Sequence, residues 1–187
     1  MAPPRPRPSP AVTSTSASRP TLSTIYAEHH AFVWRSVVRL GVPSDRVDDA
    51  VHDVFMVVAR RLDEFEGRAS MRTWLFAIAM RVAQGLRRDA AREMRRRERL
   101  GAVGSERTHA PHDAADAKHT LLELLDRLDD EKRAVFVMAE LEGMTAQEIA
   151  AVIGGKVATV YSRLRLARTA LERLVVRAKA RDERGAR

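Results

Sequence analysis

The sequence contains no cysteine. That excludes disulfides and thiolate zinc sites, and it fits a reducing interior. Long apolar runs are missing as well. The longest, Trp74 to Met80, falls far short of the roughly 20 residues that span a bilayer, and the proline-broken start lacks the apolar centre of a signal peptide. No membrane insertion is expected, and the chain is expected in the cytoplasm. There is no phosphate-binding loop and no metal-ligand cluster, and the one dense acidic group, Asp48, Asp49 and Asp53, has no pocket signature around it. Neither catalysis, nor a cofactor, nor a metal site is expected.

What the sequence does have is positive charge. A formal net charge of +8 and a pI near 10.8 call for a polyanionic partner, either nucleic acid or an acidic membrane surface. At 187 residues the chain can hold one medium domain or two small ones. The hydrophobic pattern favours two. It predicts an all-α fold of two small helical domains, residues 21–98 and 119–180, joined by a flexible linker over 99–118. A Pro, Ser and Thr tract over 1–20 is too poor in bulky apolar residues to order itself, and a basic tail closes the chain over 181–187.

In the first domain, Leu22 to Leu40 reads as a helix that stops at Gly41 and Pro43. Ser44 is expected to cap a second helix with Val47, Val51, Val54, Phe55, Val58 and Leu62 turned inward. Asp48, Asp49, His52 and Asp53 are left on its outward face. Two readings of this acidic patch stand level: carboxylates favourably placed near a helix N-terminus, or a docking face for a basic partner. After a loop from Glu64 to Ala69 with Gly67 at its tip, Ser70 caps a third helix expected to run to about Ala90. Trp74, Leu75, Ile78, Val82 and Leu86 form its apolar side. Arg81, Gln84, Arg88 and Arg92 line another side, a stripe suited to a phosphate backbone although also compatible with a solvated face. Three histidines, His109, His112 and His119, fall in or beside the linker without the companions a zinc site needs.

In the second domain, Leu121, Leu122, Leu124, Leu125 and Leu128 give one apolar face, and Ala134, Val137, Met138 and Leu141 the next. Then "GMTAQEIAAVIGGKVATVYSRLRLAR" reads as a helix-turn-helix. Thr145 and Glu148 have the spacing of a capping box, so a short helix begins at Ala146. Gly154 and Gly155 end it, and a second helix starts near Lys156. Val157, Val160, Leu164, Ala167, Leu171 and Leu174 make its buried stripe. Thr159, Tyr161, Ser162, Arg163 and Arg165 are left outside, residue types that suit a helix in the major groove. A helical hairpin in some other all-helical protein would use the same turn chemistry; the basic outer face favours DNA.

Side by side, the two domains resemble the extracytoplasmic-function sigma factors of bacterial RNA polymerase, from about Leu22 to Arg177. "DDAVHDVF" is similar to the family's region 2.2 pattern D-x-x-Q-E-x-F, with His52 where glutamine is usual. "FEGRASMRTWLFAIAMRVA" resembles regions 2.3 and 2.4, and "LDDEKRAVFVMAELEGMTAQEIAAVIGGKVATVYSRLRLAR" resembles region 4. The resemblance implies partners and roles. Asp49, His52 and Asp53 would bind the beta-prime clamp helices of core RNA polymerase, and region 4 would sit on the beta flap. Arg68, Ser70, Arg72, Arg81, Gln84 and Arg88 would engage the minus-10 promoter element, the loop receiving a flipped base. Lys156, Thr159, Tyr161, Ser162, Arg163 and Arg165 would engage the minus-35 element as duplex. The linker would thread the polymerase cleft, and an anti-sigma factor clasping both domains is a further expected partner. Arg81 stands where many relatives have asparagine, and Lys156, Ala158 and Tyr161 replace the commoner proline, glycine and basic residue, so neither promoter preference carries over. Nothing resembles regions 1.1 and 3. The alternative is a helix-turn-helix regulator acting without polymerase, which would have no use for the acidic helix and aromatic loop of the first domain.

Overall fold

The computed structural model describes residues 20–99 and 113–185. The expected N-terminal tail, most of the linker with His109 and His112, and the last two residues lie outside the described residues, as does the side chain of His119.

The first domain is a bundle of three helices, α1 (Leu22–Arg39), α2 (Val47–Arg61) and α3 (Met71–Arg99). Thr21 caps α1 by accepting from the amide of Thr24 at 3.3 Å. Ile25, Phe32, Val33 and Val37 of α1 meet Val51, Val54 and Val58 of α2 and Leu75, Phe76 and Ala79 of α3 in the core, all nearly without solvent contact. Ser36 is buried among them and returns its hydroxyl to the carbonyl of Phe32 at 2.8 Å, which removes the cost of an unpaired donor.

Three expectations about element ends are corrected. Ser44 does not cap α2: it opens a 3₁₀ turn, Ser44–Arg46, and α2 begins without a side-chain cap. The third helix does not stop near Ala90 but continues to Arg99. Its apolar stripe ends there, yet the residues beyond are strong helix formers, tied by pairs such as Arg92 with Asp89 (3.4 Å) and Arg97 with Glu93 (3.0 Å). Helix formation also starts before the second domain was expected to: α4 runs over Asp113–Asp126, because alanines and charged residues propagate a helix without any apolar period.

The second domain continues with α5 (Asp130–Phe136), a π-helical turn (Val137–Leu141), α6 (Ala146–Ile153) and α7 (Val157–Gly185). Asp129 caps α5 by accepting from the amide of Lys132 at 2.9 Å. α7 continues past Leu174 as one helix to Gly185, taking in most of the residues expected as a basic tail. Leu125, Leu128, Ala134, Val137, Met138, Ile149, Val160, Leu164, Ala167 and Leu171 form the core.

The two domains do not hang apart. α3 packs against α6, and the buried residues of both domains form one continuous cluster. Arg133 of α5 is 1% exposed and reaches across to Gly41, its Nε donating to the carbonyl of Leu125 at 2.7 Å and its guanidinium pairing with Asp126 at 2.8 Å. Burial, with the nearby charge of Arg87, pulls the Arg133 pKa down from its ordinary value, and Asp126 opposes that.

Candidate functional surfaces

α2 places Asp48 and Asp49 in its first turn and His52 and Asp53 one turn on, all exposed. Asp49, with 74% of its side chain open, has only a loose pairing with Arg46 at 3.7 Å. The face carries four acidic or titratable groups on a chain with a formal charge of +8. Asp53 and the exposed Met56 form one wall of an open groove between α2 and α3, and Arg81 lies on the opposite wall. Arg81 and Asp53, assigned from the sequence to different partners, therefore border the same groove.

The loop before α3 turns at Gly67, whose φ of +71° is the left-handed region glycine favours. Phe65 packs against Trp74 with ring centroids 5.2 Å apart, holding the loop to the helix. Arg68 pairs with Glu66 at an exposed position. Ser70 does cap α3, accepting from the amide of Thr73 at 3.1 Å. Arg72 lies over the ring of Phe32 at 4.6 Å and donates to Glu142 of the second domain at 3.1 Å. Arg81 is nine residues further along α3, about half a turn around the helix from Arg72. The six residues expected to engage one promoter element are thus divided: Ser70 and Arg72 border the second domain, Arg81 lines the groove with α2, and Arg68 and Arg88 are exposed. Gln84 lies between, half-buried, with its carbonyl accepting from Arg88 at 3.1 Å.

The helix-turn-helix has the local chemistry its sequence predicts. Thr145 accepts from the amide of Glu148 at 3.3 Å while the Glu148 carboxylate accepts from the amide of Thr145 at 2.8 Å, a complete capping box. Hydrogen bonds from the Thr145 amide and hydroxyl hold the Glu148 carboxyl below the usual carboxylate range; burial opposes them, and the Thr73 hydroxyl adds to them. Gly154 closes α6 in left-handed geometry with φ of +64°. Lys156, Tyr161, Ser162 and Arg165 are exposed on α7 or at its start, Tyr161 by 62%. Thr159 and Arg163 are half-buried, and Arg163 is drawn toward α5 by Glu131 at 2.6 Å. Sequence reasoning did not single out Arg39, Thr73 or Glu142, which join the two domains; each pairs with a residue far off in the chain, so no local pattern marks them. Among the described residues, no group of three or more His, Asp or Glu side chains is placed to hold a metal ion. No helix among them is long and apolar enough to cross a membrane.

Comparison with known proteins identifies the two domains. Residues 25–93 match the family model for sigma-70 region 2, and residues 118–171 match that for sigma-70 region 4. The chain is 28% identical over 176 residues to the RNA polymerase sigma factor CnrH of Cupriavidus metallidurans, covering 88% of this chain and 92% of that one. It is 31% identical over 153 residues to the ECF RNA polymerase sigma-E factor of Escherichia coli, covering 75% and 79%. The solved structure of CnrH in complex with the cytosolic domain of CnrY superposes with a TM-score of 0.63 at 27% identity, over 82% of this chain and 86% of that one. The sigma factor RpoE of Bartonella quintana, solved with the anti-sigma factor NepR, shares the fold with a TM-score of 0.69 at 21% identity, over 82% and 95%. Both regions in order on one chain set aside the regulator acting without polymerase. The chain belongs to the extracytoplasmic-function group of the sigma-70 family, the sigma factors that bind core RNA polymerase and direct it to promoters.

Proposed function

We propose that α2 is the main polymerase contact of this sigma factor, with Asp49, His52 and Asp53 meeting the beta-prime clamp helices while the second domain sits on the beta flap. The observation that carries this reading is the exposed acidic face itself. Carboxylates gathered on one helix of a basic chain gain little where they stand, and pairing with a basic partner gives them electrostatic complementarity that steers association. Arg68, Ser70 and Arg72 at the loop, with Arg81, Gln84 and Arg88 along α3, engage the minus-10 element. Lys156, Thr159, Tyr161, Ser162, Arg163 and Arg165 engage the minus-35 duplex. The protein works in the cytoplasm and performs no chemical step of its own. An anti-sigma partner fits this reading, since CnrH and the Bartonella relative were each solved with another protein bound, named as an anti-sigma factor in the Bartonella case.

The test is the double variant Asp49→Lys, Asp53→Lys. It should lose binding to core polymerase in a fluorescence titration while keeping the helical content of the parent by circular dichroism, because both side chains are exposed. Unchanged affinity for core in a folded variant would sink the assignment.

A further inference from the structure

A row of aromatic side chains on the first domain is open to solvent. Leu22, Tyr26, His30 and Trp34 follow one another at intervals of four along α1 and so share one side of it. Tyr26 is 48% exposed and Trp34 42%, although these are the side chains with the most apolar area to gain from cover. Tyr26 packs on Phe55 of α2 with ring centroids 4.7 Å apart and on His30 at 5.0 Å, and the rings of His30 and Phe55 are nearly parallel. The row therefore crosses onto α2, where Asp48, His52 and Phe55 follow at intervals of four and three and lead it into the acidic face. The chain reverses between the end of α1 at Arg39 and the start of α2 at Val47, which sets Trp34 toward the Asp48 end of α2. From Asp45 to Asp53 there are four aspartates against one arginine. Aromatic rings beside carboxylates are a surface for an extended, proline-rich segment that carries cations.

The chain supplies such a segment itself. Residues 3–10 read PPRPRPSP, and the first 20 residues hold three arginines and no acidic residue. We propose that residues 3–10 lie back along α1 on this strip, with prolines on Tyr26, His30 and Trp34 and with Arg5 and Arg7 toward Asp48 and Asp49, so that core polymerase has to displace them to reach α2. The displacement rests on the reading of α2 as the polymerase contact given above; the docking does not. Proline fixes φ near −65°, so an extended segment of this kind loses little entropy on binding, and the strip supplies the apolar contacts that the tract lacks on its own. The reach is sufficient. Pro10 stands 11 residues before Thr21, about 34 Å of extended chain, whereas Leu22 to Trp34 is about 18 Å of helix. A tether this short holds the segment near the strip at a millimolar effective concentration.

The absence of cysteine allows a single spin label to be placed in the full-length chain at Ser9→Cys. The label should broaden the amide signals of Trp34 and Asp48, at the far end of α1 from the point where the tract joins it. Arg5→Glu with Arg7→Glu should restore those signals, and Trp34→Ala, at an exposed position, should restore that of Asp48 with helical content unchanged. The double arginine variant should also bind core polymerase roughly three- to tenfold more tightly, since apparent affinity rises with the fraction of competent molecules. If the label leaves Trp34 and Asp48 unbroadened, or if neither set of substitutions relieves the broadening, the proposal is overturned. Broadening of equal size when label and isotope are on different molecules assigns the strip to the tract of a second copy and overturns docking within one chain. If the tract docks and its release leaves core affinity unchanged, the docking stands and the assignment of α2 to the polymerase fails instead.

Discussion

Thr73 and Glu148 are hydrogen-bonded at 3.1 Å across 75 residues of sequence, and the same Glu148 carboxylate closes the capping box of α6 with Thr145. One side chain therefore serves both the start of the helix-turn-helix and its contact with the first domain. Its pKa is lower folded than unfolded, so its stabilisation is fully present above the ordinary glutamate range and is lost as pH falls through the depressed folded value. At neutral pH, Glu148→Ala should be less stable than the parent by about 1 kcal/mol. Denaturant titrations of the two proteins at falling pH should show that difference shrinking below about pH 4. A difference that persists unchanged in acid would mean that the ionised carboxylate is not the source.

Gly41 and Gly143 both have positive φ, +81° and +65°, but their surroundings differ. A Cβ on Gly41 would stand 1.5 Å from the guanidinium of Arg133 and 2.1 Å from that of Arg87, whereas a Cβ on Gly143 meets nothing within 4 Å. Gly143→Ala should cost only the backbone strain, about 1 kcal/mol. Gly41→Ala adds a clash at a buried arginine and should cost more, about 2–3 kcal/mol. Urea midpoints of the two variants decide this; equal losses would show that Arg133 gives way freely.

On α7, Ser162 and Arg165 are exposed and free to meet base edges, while Lys156 at the start of the helix is better placed for phosphates. Ser162→Ala and Arg165→Ala should each change preference at particular minus-35 positions by about 1–3 kcal/mol. Lys156→Ala should weaken all sequences alike and flatten the salt dependence. Arg163→Ala should do less than Arg165→Ala, because Arg163 is already paired with Glu131 at 2.6 Å. Binding across a randomised minus-35 library separates these cases; if Lys156→Ala redraws the preferred sequence and the other variants do not, the reading face lies elsewhere on the helix.

Along α3, alanine at Arg81, Gln84 and Arg88 together should reduce promoter opening more than initial binding. Permanganate reactivity of the minus-10 region is expected to fall while closed complexes form at close to the parental level. The reverse pattern would make this stripe a duplex phosphate contact only.

What the sequence made legible is what short-range chemistry determines. The Thr145 and Glu148 box, the left-handed Gly154, the Ser70 cap and the outward placement of Asp48, Asp49, His52 and Asp53 all depend on neighbours within a few residues. The end of α3 is not marked by the apolar stripe, which stops near Leu86, whereas the helix continues on propensity and on pairs such as Arg97 with Glu93. Ser44 has the right residue type for a cap, but the chain makes a 3₁₀ turn there first. The contact between the two domains is marked by no local pattern. Arg39 and Glu142 lie 103 residues apart, and nothing near either one distinguishes it from an ordinary surface charge.

α3 is one unbroken helix from Met71 to Arg99, and Arg72 and Arg87 stand on it 15 residues apart, a span of about 22 Å. A joint fastened at two such points resists twisting, whereas one fastened at a single point is a pivot. Losing only the Glu142 end would leave the Thr73–Glu148 bond and the apolar packing of α3 on α6 to oppose any swing about the pairing of Arg87 with Asp130. The two charged ends therefore fix the angle at which the domains meet, and the apolar packing between α3 and α6 holds them there.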